Sequence, residues 1–208
     1  MKRYLQYYVL VESPLATLAG GGLIIMASSR LAYALTILGA LLWVYMLTIL
    51  PAFFAQRFFP QTQRGNTLAL LFLSSFVAGL YLFLLFLGSP LLAMETLYLI
   101  ILVPTYCMGS GFAARFQKLE RQEVLTRTPL EALSLGLLIV AMALVREPFG
   151  FMALSLPGGP RGIIELAYDG EFIVPMRIFS RSAGGLILLG YGIALFQSFR
   201  KRYLKDHT

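Results

Sequence analysis

The residues of this 208-residue chain that could do chemistry are few: one cysteine, Cys107, two glutamates in apolar surroundings, Glu12 and Glu95, and an adjacent cation and anion, Arg146-Glu147, closing an apolar run. A thiolate can ligate an iron–sulfur cluster, but a single cysteine cannot hold one, so partner ligands would have to come from another subunit. The plainer alternative for Cys107 is a small buried hydrophobe beside Met108. One cysteine forms no disulfide within the chain, and the lone histidine, His207, falls in the polar tail, where it is expected to be solvated. Cysteine and histidine of this chain therefore cannot build a metal site by themselves. A carboxylate inside a membrane is costly and marks ion handling, proton handling or structural pairing, although Glu12 is near enough to the start of a span to reach the interface. No nucleophile and base, phosphate loop or carboxylate pair occurs at a workable spacing, so chemistry on an organic substrate is not expected.

The elements that would position these groups are membrane spans. The chain is 58% hydrophobic and only 13% charged, far below the roughly 25% charged residues of soluble domains. Its length accommodates about six spans of ~20 residues with short links. That leaves one membrane domain over residues 1–208 and no room for a separate soluble one. The net charge of +7 comes from basic residues between spans and at the C-terminus, which set topology and meet lipid headgroups; no nucleic-acid partner is implied. Met1-Lys2-Arg3 resembles the start of a signal peptide, but no small-residue cleavage site followed by a polar domain appears, so the first segment is expected to be retained.

Ser13 to Ser29 is apolar but holds Gly20, Gly21 and Gly22 in its middle, each costing a helix about 1 kcal/mol relative to Ala. A broken first helix is expected, with Ser13 as N-cap and Pro14 in its first turn. Leu31–Phe54 and Thr67–Leu87 read as smooth spans, and Gly88-Ser89-Pro90 as a tight turn. The fourth segment, Leu91–Phe116, runs from Glu95 to Pro104, Cys107, Gly109 and Gly111, much as the first runs from Glu12 to its glycines. A second broken helix is expected there. An interrupted span opening each half marks a transporter-like internal repeat, here about 9–89 and 91–199. Thr128, Pro129 and Glu131 suggest the start of a fifth span, which stops at Arg146-Glu147-Pro148. A long polar loop follows to about Arg181. The sixth span, Ser182–Phe199, carries Gly184, Gly185, Gly190 and Gly192 for close helix approach.

Six spans segregate the basic residues. One side receives Lys2, Arg3, Arg57, Arg64, Arg115, Lys118, Arg121, Arg127 and the C-terminal cluster at 200–205; the other receives only Arg30, Arg146, Arg161, Arg177 and Arg181. The positive-inside rule then puts both termini in the cytoplasm, in a bacterial inner membrane, with the long loop outside.

Several short motifs carry a resemblance. Ser13-Pro14, with Gly21 and Ala27 downstream, is similar to the Asn-Pro, Leu-Gly-x-Cys, Leu-Ala-Val opening of the integral membrane subunits of Rnf and Nqr ion-pumping electron-transport complexes. Tyr106-Cys107 resembles the second family cysteine, Arg146-Glu147 with Gly150 resembles Arg-Glu-x-x-Gly, and Ala183-Gly184 resembles Pro-x-Gly-Ala. The resemblance implies an all-α fold of six transmembrane helices in two inverted three-helix repeats. It implies a homologous partner subunit of opposite topology and a [2Fe-2S] cluster shared between the two. By termini the chain is more like the E subunit of Rnf and the D subunit of Nqr. Leu23 stands where the first family cysteine is expected, and leucine cannot ligate iron. The expected function is thus that of a subunit in a redox-driven Na⁺ or H⁺ pump, with Cys107 as ligand and Gly20–Leu23 beside the cluster. Glu12, Glu95, Arg146 and Glu147 would serve ion handling or structural pairing. A six-span small-molecule carrier or vitamin-importer component, and a structural subunit without cofactor, are the alternatives.

Overall fold

The computed structural model describes residues 14–58, 63–109, 121–167 and 177–205. They form the helices α1 (Pro14–Ala27), α2 (Leu31–Phe58), α3 (Gln63–Gly88), α4 (Pro90–Gly109), α5 (Arg121–Phe151) and α6 (Ser182–Lys205). Between α5 and α6 lie strands β1 (Ala153–Pro157) and β2 (Ile163–Ala167), and a short 3₁₀ helix at Arg177–Ser180. Four of the helices hold stretches long and apolar enough to cross a membrane: Leu31–Ile49, Ala69–Gly88, Pro90–Cys107 and Thr128–Phe151. This is a helical membrane protein.

The side-chain distribution follows from that solvent. The outer face of α3 presents Phe72 and Phe76, each 74% exposed, while Leu70, Ser74, Val77 and Ala78 face inward. An apolar stripe of this size on a helix is stable against lipid, not water. Buried hydroxyls are satisfied within their own helices: Thr36 donates to the Ala32 carbonyl at 2.8 Å and Thr96 to that of Leu92 at 2.7 Å. Such back-bonding removes the penalty of an unpaired polar group in hydrocarbon. At the α2–α3 contact the Tyr81 hydroxyl donates to the Thr36 carbonyl at 2.9 Å, close over Gly39, where a methyl would come within 2.8 Å of that hydroxyl.

Several expectations are corrected. The first helix is not broken at its glycines, since α1 runs through Gly20, Gly21 and Gly22; α4 runs through Pro104 and ends at Gly109, and the rest of the expected fourth segment lies outside the described residues. Three glycines cost about 3 kcal/mol in helix propensity. Each backbone group left unpaired in an apolar setting costs several kcal/mol, so the helix persists. Nor does a methyl at Gly21 or Gly22 meet any atom within 4 Å. The fifth helix starts at Arg121, before Thr128-Pro129, and continues through Pro148 to Phe151; Met152 ends it in a left-handed conformation, φ 53°. The long polar segment, expected as a loop, contains a small antiparallel hairpin; the fold remains mostly helical, as expected of an all-α membrane protein. Glu12, Ser13, Gly111 and Arg115 lie outside the described residues.

Contacts fix how the helices run. The N-terminus of α2 meets the C-terminal part of α5, β1 meets both, and Gly162 beside β2 rests on Leu91 of α4. The C-terminus of α1, the starts of α2, α4 and α6, and the end of α5 therefore share one end of the bundle, termed the hairpin end. Arg30, Arg146 and Arg161 fall at that end. Arg57 and Arg64 fall at the other, where α2 ends and α3 begins. This two-ended segregation agrees with the charge pattern of the sequence.

Of the four α6 glycines, only the first two allow close approach. A methyl on Gly184 would come 2.2 Å from the Ile178 carbonyl oxygen and 2.5 Å from the Phe179 Cα, whereas nothing lies within 4 Å at Gly190 or Gly192. Gly184→Ala must displace backbone and is expected to cost about 1–3 kcal/mol, seen as a lower thermal midpoint of the detergent-solubilised chain. Gly190→Ala should leave that midpoint unchanged or raise it through better helix propensity.

Candidate functional site

The polar centre of the described chain is built on two consecutive residues of α5. Arg146 and Glu147 are each only 2% exposed. An isolated charge in an apolar core would be prohibitive, so each must be met by hydrogen-bonding groups. Arg146 donates from Nε to the Phe179 carbonyl at 2.6 Å, from Nη2 to the Ser180 carbonyl at 3.3 Å, and from Nη1 to the Ile25 carbonyl and the Ser28 hydroxyl. Glu147 Oε2 accepts the Leu31 N–H at 2.7 Å.

These partners are helix ends. Ile25 lies in the last turn of α1, whose final carbonyls have no partner within the helix. Leu31 opens α2, whose first N–H groups are likewise unpaired; the next one, Ala32, donates to Ser155 Oγ of β1 at 3.2 Å. A cation therefore closes the negative end of one helix dipole and an anion the positive end of the next. The guanidinium fork suits this task because its donors diverge in a plane and reach two separate segments, the end of α1 and the 3₁₀ helix.

Glycines make room for the node. A methyl on Gly150, one turn beyond Arg146, would come 2.9 Å from the Ser180 backbone nitrogen, and one on Gly185 would come 3.0 Å from Arg146 Nη1. Around this centre, Arg30 pairs with Glu165 of β2 at 2.7 Å and lies 5.8 Å from the centroid of the Phe151 ring. The Tyr33 hydroxyl donates to Glu95 of α4 at 3.0 Å on the exposed surface. Arg146, Glu147 and Glu95 thus all sit at the hairpin end.

Cys107 and Leu23 are placed differently. Both are fully buried in the apolar core. Leu23 lies within one turn of the hairpin end of α1. Cys107 follows Glu95 by 12 residues, about 18 Å farther along α4 at 1.5 Å per residue. Among the described residues no group of three or more His, Cys, Asp or Glu could hold a metal ion. The thiol is buried within its own chain, and leucine at position 23 supplies no ligand. Gly20, Gly21 and Gly22 are ordinary positions of α1.

Sequence reasoning singled out Arg146, Glu147, Gly150, Gly184 and Gly185 but not what they hold. It missed Ser28, Ser155, Tyr33 and the Arg30–Glu165 pair. The alternation Ala-Leu-Ser-Leu-Pro, a Gly-Gly-Pro-Arg-Gly turn and Ile-Ile-Glu-Leu-Ala was the available signal for the hairpin and hence for Ser155 and Glu165. Comparison with known proteins adds no relative: no family model, curated protein or solved structure matches this chain.

The node makes a graded prediction. Arg146→Lys keeps the charge but cannot reach all four acceptors in the two segments. It leaves buried carbonyls unpaired at about 1–3 kcal/mol each and should markedly lower the thermal midpoint in detergent. Glu147→Gln keeps an oxygen for the Leu31 N–H and should cost less than half as much as Glu147→Ala, measured by the same melt.

Proposed function

We propose that this chain is a membrane subunit of a redox-driven ion-translocating complex of the Rnf/Nqr kind, acting beside a homologous subunit of opposite topology. One observation carries the reading: three motif fragments that resemble that family meet at one place. The α1 segment that follows Ser13-Pro14 ends there, at Ile25 and Ser28. Arg146-Glu147 with Gly150 supplies the gripping side chains, and Ala183-Gly184 with Gly185 supplies the close approach of α6. Short motifs scattered over 170 residues have a common physical purpose.

The helix order supports the same reading. α1 packs on α4 and α2 on α5, and the members of each pair run in opposite directions. Two inverted three-helix repeats, about 9–89 and 91–199, require that relation. The basic ends of the bundle suit an inner-membrane protein with cytoplasmic termini and an external hairpin. Alkaline phosphatase fused after Pro160 should then be active and the same enzyme fused after Thr208 inactive; the reverse pattern would invert the topology.

Within such a complex the enclosed thiol and Leu23 favour a structural subunit that carries no cluster of its own. In family members a [2Fe-2S] cluster between the paired subunits would relay single electrons; here Cys107 is the one residue that could contribute to it. Purifying the complex from cells expressing native chain or Cys107→Ser, then measuring iron and the electron paramagnetic resonance spectrum, decides the matter. Unchanged iron and spectrum, with the complex intact, are expected. Loss of a [2Fe-2S] signal in the variant would make Cys107 a ligand. Co-purification with no redox subunits at all would sink the family reading and leave the small-molecule carrier.

A further inference from the structure

The β-hairpin is built inside out for a protein surface in water. Its register pairs Leu154 with Leu166 and Leu156 with Ile164, while Ser155 pairs with Glu165. Side chains alternate between the two faces of a strand, so the four aliphatic residues share one face and Ser155 and Glu165 the other. The polar face is the one turned to the bundle: Ser155 is fully buried and accepts the Ala32 N–H, and Glu165 holds Arg30. Leu154, next to the end of α5, is partly buried against the core, and the rest of the apolar face points away, leaving Leu156, Ile164 and Leu166 exposed at 38%, 48% and 57%.

The depth of the hairpin identifies what such a face meets. Ser155 is bonded at the second residue of α2, β1 follows directly on the end of α5, and Gly162 rests on Leu91. These are the points where three apolar stretches begin or end, at Leu31, Phe151 and Pro90. The hairpin therefore lies in the boundary layer between hydrocarbon and water. Leu91 also opens the outward stripe Leu91, Met94, Tyr98 and Ile101 on α4, so the hairpin adjoins a surface that is already lipid-facing. At the hairpin tip, exposed Arg161 offers a cation at headgroup level.

We infer that the hairpin is an interfacial lipid anchor: Leu156, Ile164 and Leu166 lie against the acyl–headgroup boundary and Arg161 meets anionic lipid phosphate. Apolar side chains at this depth, flanked by a basic one, are the combination that holds an element in the plane of the membrane. The anchor would fix the chain that leads from α5 to the 3₁₀ helix gripped by Arg146. It depends only on the chain being a membrane protein, and stands or falls apart from the redox reading.

The test uses spin labels on single cysteines, Ile164→Cys, Glu165→Cys and Leu166→Cys, in a full-length Cys107→Ala background. The protein is reconstituted in vesicles of phosphatidylethanolamine and phosphatidylglycerol. Collision with oxygen, which concentrates in lipid, is compared with collision with a water-soluble nickel chelate. Oxygen should dominate at positions 164 and 166 and the chelate at 165. Chelate dominance at all three positions would overturn the anchor in favour of an aqueous hairpin. Immobile labels shielded from both reagents at 164 and 166 would overturn it in favour of a covering protein. Should Cys107→Ala fail to fold, the same labels with Cys107 retained give the answer, because that thiol is enclosed.

Discussion

Helix ends buried in an apolar medium leave backbone donors and acceptors that water cannot satisfy, and the bundle depends on how this chain meets that constraint. Between α1 and α2 only Ser28, Ser29 and Arg30 intervene, so a C-terminus and an N-terminus of opposite partial charge lie almost in contact. Local capping closes only part of it: the Ser28 and Ser29 N–H groups donate to the Ile24 and Met26 carbonyls, and the Ser28 hydroxyl reaches back to the Ile25 carbonyl at 3.4 Å. The remaining partners come from more than 110 residues away, as one cation and one anion in consecutive positions of α5. Placed side by side on the chain, Arg146 and Glu147 do not serve each other. Each serves a separate helix end.

Much of the neighbouring geometry follows from that arrangement. To grip the carbonyls of Phe179 and Ser180 as well, Arg146 needs the 3₁₀ helix pressed against α5, and Gly150 and Gly184 are the residues whose missing side chains permit it. Ser155 completes the N-terminus of α2, which ties β1 to the bundle and turns the hairpin's aliphatic face outward. One interaction thus couples both ends of the chain, since α1 and α6 meet it from opposite sides. An alteration there is felt by four elements at once, whereas the lipid-facing residues of α3 touch few others.

The sequence made the spans, the turn at Gly88-Ser89-Pro90 and the segregation of arginines legible, because hydropathy and charge report directly on the medium around each segment. It misled at the glycines and at Pro104, where propensity scales measured in water overstate how readily a helix breaks in hydrocarbon. It misplaced the start of α5, since the Thr128-Pro129-Glu131 signal falls inside a helix already begun at Arg121. Arg146-Glu147 was visible as a motif, but its role was not. A residue's long-range hydrogen-bond partners leave no mark on local pattern, and here all but the Ser28 hydroxyl are main-chain groups without sequence identity. The hairpin was hidden by its breakers, which suggested a loop while the short alternating runs on either side suggested strands.

The vertical distribution of charge limits what the chain can do alone. At the hairpin end Arg30, Glu95, Arg146, Glu147 and Glu165 form one polar layer. Below it the described helices hold no charged residue in 32–56, 65–94, 96–109, 132–145 or 182–199. Among the buried hydroxyls in that interval, Thr36, Thr48, Ser74 and Thr96 are committed to their own helix backbones. Within those described stretches no carboxylate occurs, and moving a bare charge through such a core is far costlier than through a polar cavity. Glu95 and Glu147 are engaged where they stand, by Tyr33 and by the Leu31 N–H, at one edge of that barrier. Within the described helices, then, charge is held at one end of the bundle, and the interior between the ends is built for packing and for lipid.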